Sequence, residues 1–113
     1  MKSKPKGTFN AQAFLDSAGI AKKIVEYRRN DAIFTQGDPC EHVLYIKRGA
    51  VKLSVLSKRG REAVVAMLNP GDFFGEGCLA GQSTRIATAT ATAPTTIFMI
   101  RNSRMLKVLH HAD

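Results

Sequence analysis

Apolar and polar positions change rhythm along this chain. Residues 1–10 carry no apolar period and read as a flexible basic leader, ahead of one domain over 11–113. From Ala11 to about Lys23, Ala11, Phe14, Leu15, Ala18 and Ala21 fall near helical spacing, which predicts a short helix interrupted by Gly19. Ile24–Tyr27 and Ala32–Phe34 then predict two brief strands, the second closed by a turn at Gln36-Gly37-Asp38-Pro39. Beyond His42 the apolar runs become short and regular. Val43–Ile46 and Ala50–Leu56 predict strands on either side of Lys47-Arg48-Gly49. In the second of these, Val51, Leu53 and Val55 alternate with Lys52 and Ser54, as one buried face requires, and Leu56 breaks the pattern. Ser57–Arg61 reads as a hairpin turn and Glu62–Leu68 as its returning strand. Arg85–Ala93 and Thr95–Arg101 predict the last two strands, parted by Pro94, and Asn102-Ser103 a cap for a helix over Arg104–His111. Strands separated by turn residues roughly every 8–12 positions predict a mainly β sandwich or barrel. An antiparallel jelly roll or β-roll with short flanking helices fits best.

Composition narrows the function classes. The 113 residues suffice for a real core, and 44% apolar and 23% charged residues are ordinary globular values. No apolar run approaches the roughly 20 residues that cross a bilayer, and the first residues do not form a signal peptide. A cytoplasmic protein without a membrane partner is expected. The net charge of +8 favours an anionic partner, such as a small ligand, a nucleic acid or an acidic surface; it also suits a merely solvated basic surface. No helix-turn-helix, zinc finger or aromatic-rich RNA-binding strand accompanies it. With three histidines, His42, His110 and His111, there is no His-x-His of the kind cupin metalloenzymes use. No serine or cysteine is placed with a histidine for nucleophilic catalysis, so no enzyme is expected. His42 is either a surface residue or an axial haem ligand. Two cysteines, Cys40 and Cys78, are too few for a four-cysteine iron–sulfur cluster and read as small apolar residues.

The chemistry concentrates between Pro70-Gly71-Asp72 and Thr88. Here Phe74-Gly75-Glu76-Gly77-Cys78 leads through Gly81-Gln82-Ser83-Thr84 into Arg85-Ile86-Ala87-Thr88. A glycine-rich loop with a carboxylate at one end and an arginine at the other can enclose a small phosphorylated ligand. The guanidinium pairs bidentately with phosphate, free loop N–H groups form an anion nest, and the carboxylate accepts from a sugar hydroxyl. Alternatively, Arg85 is a structural partner of a carboxylate such as Glu76. The small residues Ala87–Ala93 leave room for whatever the loop encloses.

This run resembles the phosphate-binding cassette of cyclic-nucleotide-binding domains, where Phe-Gly-Glu is followed by an apolar stretch and then Arg-x-Ala-Thr or Arg-Ser-Ala. Gly37-Asp38, the paired runs around Gly49, and Leu68-Asn69-Pro70-Gly71-Asp72 extend the resemblance over most of the chain. Within that superfamily the chain is most similar to the N-terminal sensor domain of Crp/Fnr-type transcription regulators. The resemblance implies cyclic AMP or cyclic GMP as effector, although no cofactor is fixed by the residues. It implies that Arg85 holds the exocyclic phosphate oxygens, Glu76 the ribose 2′-hydroxyl, and Ile86 and Ala87 offer backbone N–H groups. Gly75 allows close backbone approach. Leu53, Val65 and Leu68 form an apolar wall, or else simply pack in the core. Gly77 and Cys78 depart from the family pattern, and so does Ile86, where a hydroxyl or small side chain is usual. In that family a dimerisation helix and a DNA-binding domain follow the sensor; they would lie beyond Asp113. A homodimer and DNA contact through that absent domain are implied. A free-standing cyclic-nucleotide-binding module regulating something else is the other reading.

Overall fold

The computed structural model describes residues 21–111, with side chains to 107. The leader and most of the first predicted helix lie outside that range. Where that helix was expected to end, Ala21 and Lys22 are not helical and Lys23 already pairs with Met99. The eight strands are β1 (Lys23–Tyr27), β2 (Ala32–Phe34), β3 (His42–Arg48), β4 (Val51–Leu56), β5 (Glu62–Leu68), β6 (Phe73–Phe74), β7 (Thr88–Ala91) and β8 (Thr95–Arg101). A 3-10 helix, Glu76–Ala80, follows β6, and α1, Asn102–His111, closes the described chain. All pairings are antiparallel, in two four-stranded sheets ordered β1-β8-β3-β6 and β2-β7-β4-β5. This is the antiparallel β-roll that the strand pattern predicts.

β3 shows why the apolar run Val43–Ile46 is continuous. Side chains of a strand alternate between its faces, and here both faces are covered. Leu44 and Ile46 enter the cluster with Val51, Phe74, Ala89 and Ile97, which joins the two sheets. Val43 and Tyr45 enter the other, with Cys40, Cys78, Phe98, Ile100 and Met105, which lies beneath the 3-10 helix and α1. The Ala-Thr repeat has the predicted small face: Ala89 and Ala91 are fully buried, while Thr88 and Thr90 are only partly so. Gly49 makes the turn into β4 at φ 101°, where an added Cβ would collide with the Pro94 carbonyl and Thr95.

Two boundaries differ from the sequence reading. The strand expected from Arg85 begins only at Thr88. The reason lies far off in sequence: the backbone at Arg85 is already taken, donating to the Asp38 carbonyl at 2.8 Å and accepting from the Gly37 N–H at 2.8 Å. The last helix starts at Asn102, directly after β8, so Asn102 and Ser103 lie within its first turn rather than before it. Asn102 donates its backbone N–H to the Glu41 carbonyl, and its buried Oδ1 finds no partner.

Candidate ligand site

The loop between β6 and β7 is shaped by one glycine and held by one arginine. Gly75 caps the 3-10 helix in the left-handed region at φ 72°. A Cβ there would come within 2.6 Å of Arg85 Nη1 and 2.8 Å of Leu44 Cδ1, so the position requires glycine on two counts. The close approach lets Arg85 Nη1 donate to the Gly75 carbonyl at 2.7 Å, while Nη2 donates to the His42 carbonyl at 2.7 Å. The guanidinium also lies over the Phe34 ring, Cζ at 4.1 Å from its centroid. The loop is stitched to the turn opposite by the Cys40 N–H donating to Ser83 O and by a bridge from Pro39 to Thr84.

The electrostatics of Arg85 are unusual. Its exposure is 6%, yet among the described residues no carboxylate lies within 4 Å of it. The alternative arrangement, an internal ion pair with Glu76, is not formed, and Glu76 is exposed. Both terminal nitrogens bond neutral carbonyls, and Nε is buried with no partner. Burying an unneutralised charge is costly, and this one is oriented by rigid acceptors while N–H donors remain unused.

Beside it lies a cavity of about 540 Å³, within the roughly 300–1,000 Å³ range of small-molecule sites. Gly75, Glu76, Arg85, Ile86, Ala87, Leu53 and Val65, all singled out in the sequence, border it. Leu68 does not. It is paired with Val51, at the end of β5 that enters the inter-sheet cluster, and packs there instead. Four bordering residues were not anticipated as contacts: Phe34, Val55, Gly77 and Gln82. Val55 was legible, two positions from Leu53 on one strand. Phe34 was not, because only the fold brings β2 to Arg85.

A smaller cavity of about 200 Å³ borders the other flank of Arg85, with Asp38, Glu41 and His42 among its walls. Partial burial, then the positive charge of Arg101, pushes the His42 imidazole below its usual pKa. Behind the loop, the Sγ atoms of Cys40 and Cys78 lie 4.0 and 3.7 Å from the Gly75 carbonyl, and Cys78 Sγ lies 3.6 Å from that of His42. Burial, and then hydrogen bonding with Cys40, pushes the Cys78 thiol up to about 11.

The β-roll thus presents a glycine arch, a buried arginine and an open, largely apolar cavity side by side. Residues 24–112 match the cyclic nucleotide-binding domain. The chain belongs to that family. It is 37% identical over 97 residues to the global nitrogen regulator of Synechococcus elongatus, covering 84% of this chain and 44% of that protein. It is 40% identical over 50 residues to the cAMP-activated global transcriptional regulator Vfr of Pseudomonas aeruginosa, covering 44% of this chain and 23% of Vfr. In structure it superposes on the catabolite activator protein of Thermus thermophilus with a TM-score of 0.80 and 25% identity, over 95% of this chain and 49% of that one. These relatives are transcription regulators of the Crp/Fnr type, and the chain spans less than half the length of the curated relatives it matches. Among the described residues, no helix is long and apolar enough to cross a membrane, and no group of three or more His, Cys, Asp or Glu is placed to hold a metal ion.

Proposed function

We propose that this domain binds a cyclic nucleotide in the 540 Å³ cavity and serves as the sensor of a Crp/Fnr-type transcription regulator, a non-enzymatic cytoplasmic protein. The observation that carries the reading is Arg85, a buried guanidinium with no carboxylate and an unpaired Nε, beside a cavity walled by apolar side chains. An exocyclic phosphate supplies the missing charge through charge-assisted hydrogen bonds. The N–H groups of Ile86 and Ala87 add to the anion nest. Glu76, exposed at the cavity edge and free of any ion pair among the described residues, accepts from the ribose 2′-hydroxyl. Leu53 and Val65 face ribose and base. Similarity to a cAMP-activated regulator supports cyclic AMP as effector, with cyclic GMP as the second candidate. Output would pass through a homodimer and a DNA-binding domain outside this chain.

Ile86 bears no hydroxyl to offer the phosphate. Losing one hydrogen bond to a charged group weakens binding by about 1.5–3 kcal/mol, or roughly tenfold or more. Isothermal titration of the purified chain with cyclic AMP and cyclic GMP tests the reading. Wild type takes up at least one of them, and Arg85→Leu takes up neither. Absence of heat with both nucleotides for wild type overturns it.

A further inference from the structure

We infer that Gln82 is a further ligand-binding residue of this pocket, donating its side-chain amide to the phosphate that Arg85 holds. The inference rests on the cyclic-nucleotide reading above and goes beyond it in naming a second side-chain donor. Among the described residues, three polar side chains border the cavity: Glu76, Gln82 and Arg85. Glu76 as a carboxylate can only accept, which leaves Gln82 as the one side-chain donor besides the arginine.

Its placement is set by the loop. The Gln82 N–H donates to the Gly77 carbonyl at 3.0 Å, closing the turn after the 3-10 helix. Its carboxamide then lies directly over Gly77, where a Cβ at position 77 would collide with Oε1. Glycine at 77 is therefore what admits the amide to this place. Arg85 bonds Gly75 and Gln82 covers Gly77, so the guanidinium and the carboxamide flank the same three-residue arch. The Gln82 carboxamide makes no hydrogen bond of its own to the described residues, and the residue is half-buried. An oriented amide with its donors unspent, beside a buried cation without a counterion, forms a two-donor anion clamp. It supplies the hydrogen bond that Ile86, lacking a hydroxyl, does not.

The test uses the two phosphorothioate diastereomers of the bound cyclic nucleotide, in which sulfur replaces one exocyclic oxygen or the other. Arg85 and Gln82 grip different oxygens, so wild type discriminates between the diastereomers. Gln82→Ala weakens binding of the parent nucleotide by about tenfold and shifts the ratio of the two diastereomer affinities by a similar factor. Gly77→Ala, which displaces the amide, has the same two effects, and the double variant is no worse than either single one. Unchanged affinity in Gln82→Ala overturns the inference. So does a weakening in which the diastereomer ratio stays fixed, since that marks mere packing. Nucleotide binding abolished by Arg85→Leu but indifferent to Gln82 refutes the clamp alone. A wild-type chain that binds no cyclic nucleotide refutes the underlying reading, and the clamp with it.

Discussion

The two flanks of Gly75 are built from similar side chains and end in opposite states. On one flank Val43, Tyr45, Cys78, Phe98, Ile100 and Met105 close into a cluster with exposures of 8% or less. On the other, Leu53 and Val55 are only partly covered, and Val65 and Ile86 stay 57% and 66% exposed. Residue type does not separate them. What differs is the cover: α1 and the 3-10 helix lie over the first flank, whereas β5 is the edge strand of its sheet, and among the described residues nothing lies across Leu53, Val65 and Ile86. Apolar surface buried in a β-roll is stability; apolar surface left concave beside an unneutralised arginine is an invitation to a ligand.

Substitutions on the two flanks turn this contrast into numbers. On the closed side, Ile100→Ala opens a cavity at a fully buried position and costs about 2–5 kcal/mol in urea unfolding. Arg85→Leu comes next. It removes a costly buried charge but deprives the Gly75 and His42 carbonyls of their strong donors, and a net loss of about 1–3 kcal/mol is expected in the same assay. On the open side, Val65→Ala changes stability by no more than about 0.5 kcal/mol, because the side chain is already exposed. A loss at Val65 comparable to that at Ile100 would erase the distinction between the flanks.

Thiol chemistry sharpens it further. The Cys78 thiol is pushed from an ordinary 9.0 to about 11. A raised pKa means that the folded state keeps a proton the unfolded chain has lost, so this contribution to stability is complete below about pH 9 and fades as pH climbs through about 11. Alkylation of Cys78 in the folded protein should therefore keep accelerating up to that pH; a plateau near 9, followed by mass spectrometry, would place the thiol in water instead.

Much of this was legible in the sequence, for identifiable reasons. Strands announce themselves by local alternation and turn residues, so β3, β4, β5 and β8 fall where the pattern put them, to within a residue or two at their ends. The loop was legible because its glycine, carboxylate and arginine are close in sequence. Around the site, what the sequence did not show is non-local. Arg85 starts no strand because its backbone pairs with the Gly37-Asp38 turn. Leu68 leaves the cavity wall because its partner Val51 belongs to the core. Phe34 reaches the guanidinium only because the β2–β7 pairing carries it there. Nor could spacing alone show that Arg85 would be held by carbonyls rather than by Glu76.

The Nε–H of Arg85 is the group on which the account turns, buried and without a partner among the described residues. Its ¹⁵N–¹H resonance can be followed directly while cyclic AMP is added. A marked downfield proton shift with slowed solvent exchange, absent in Arg85→Lys, is the predicted result. A nucleotide that binds while leaving that resonance in place would contradict the claim that this guanidinium is waiting for a phosphate.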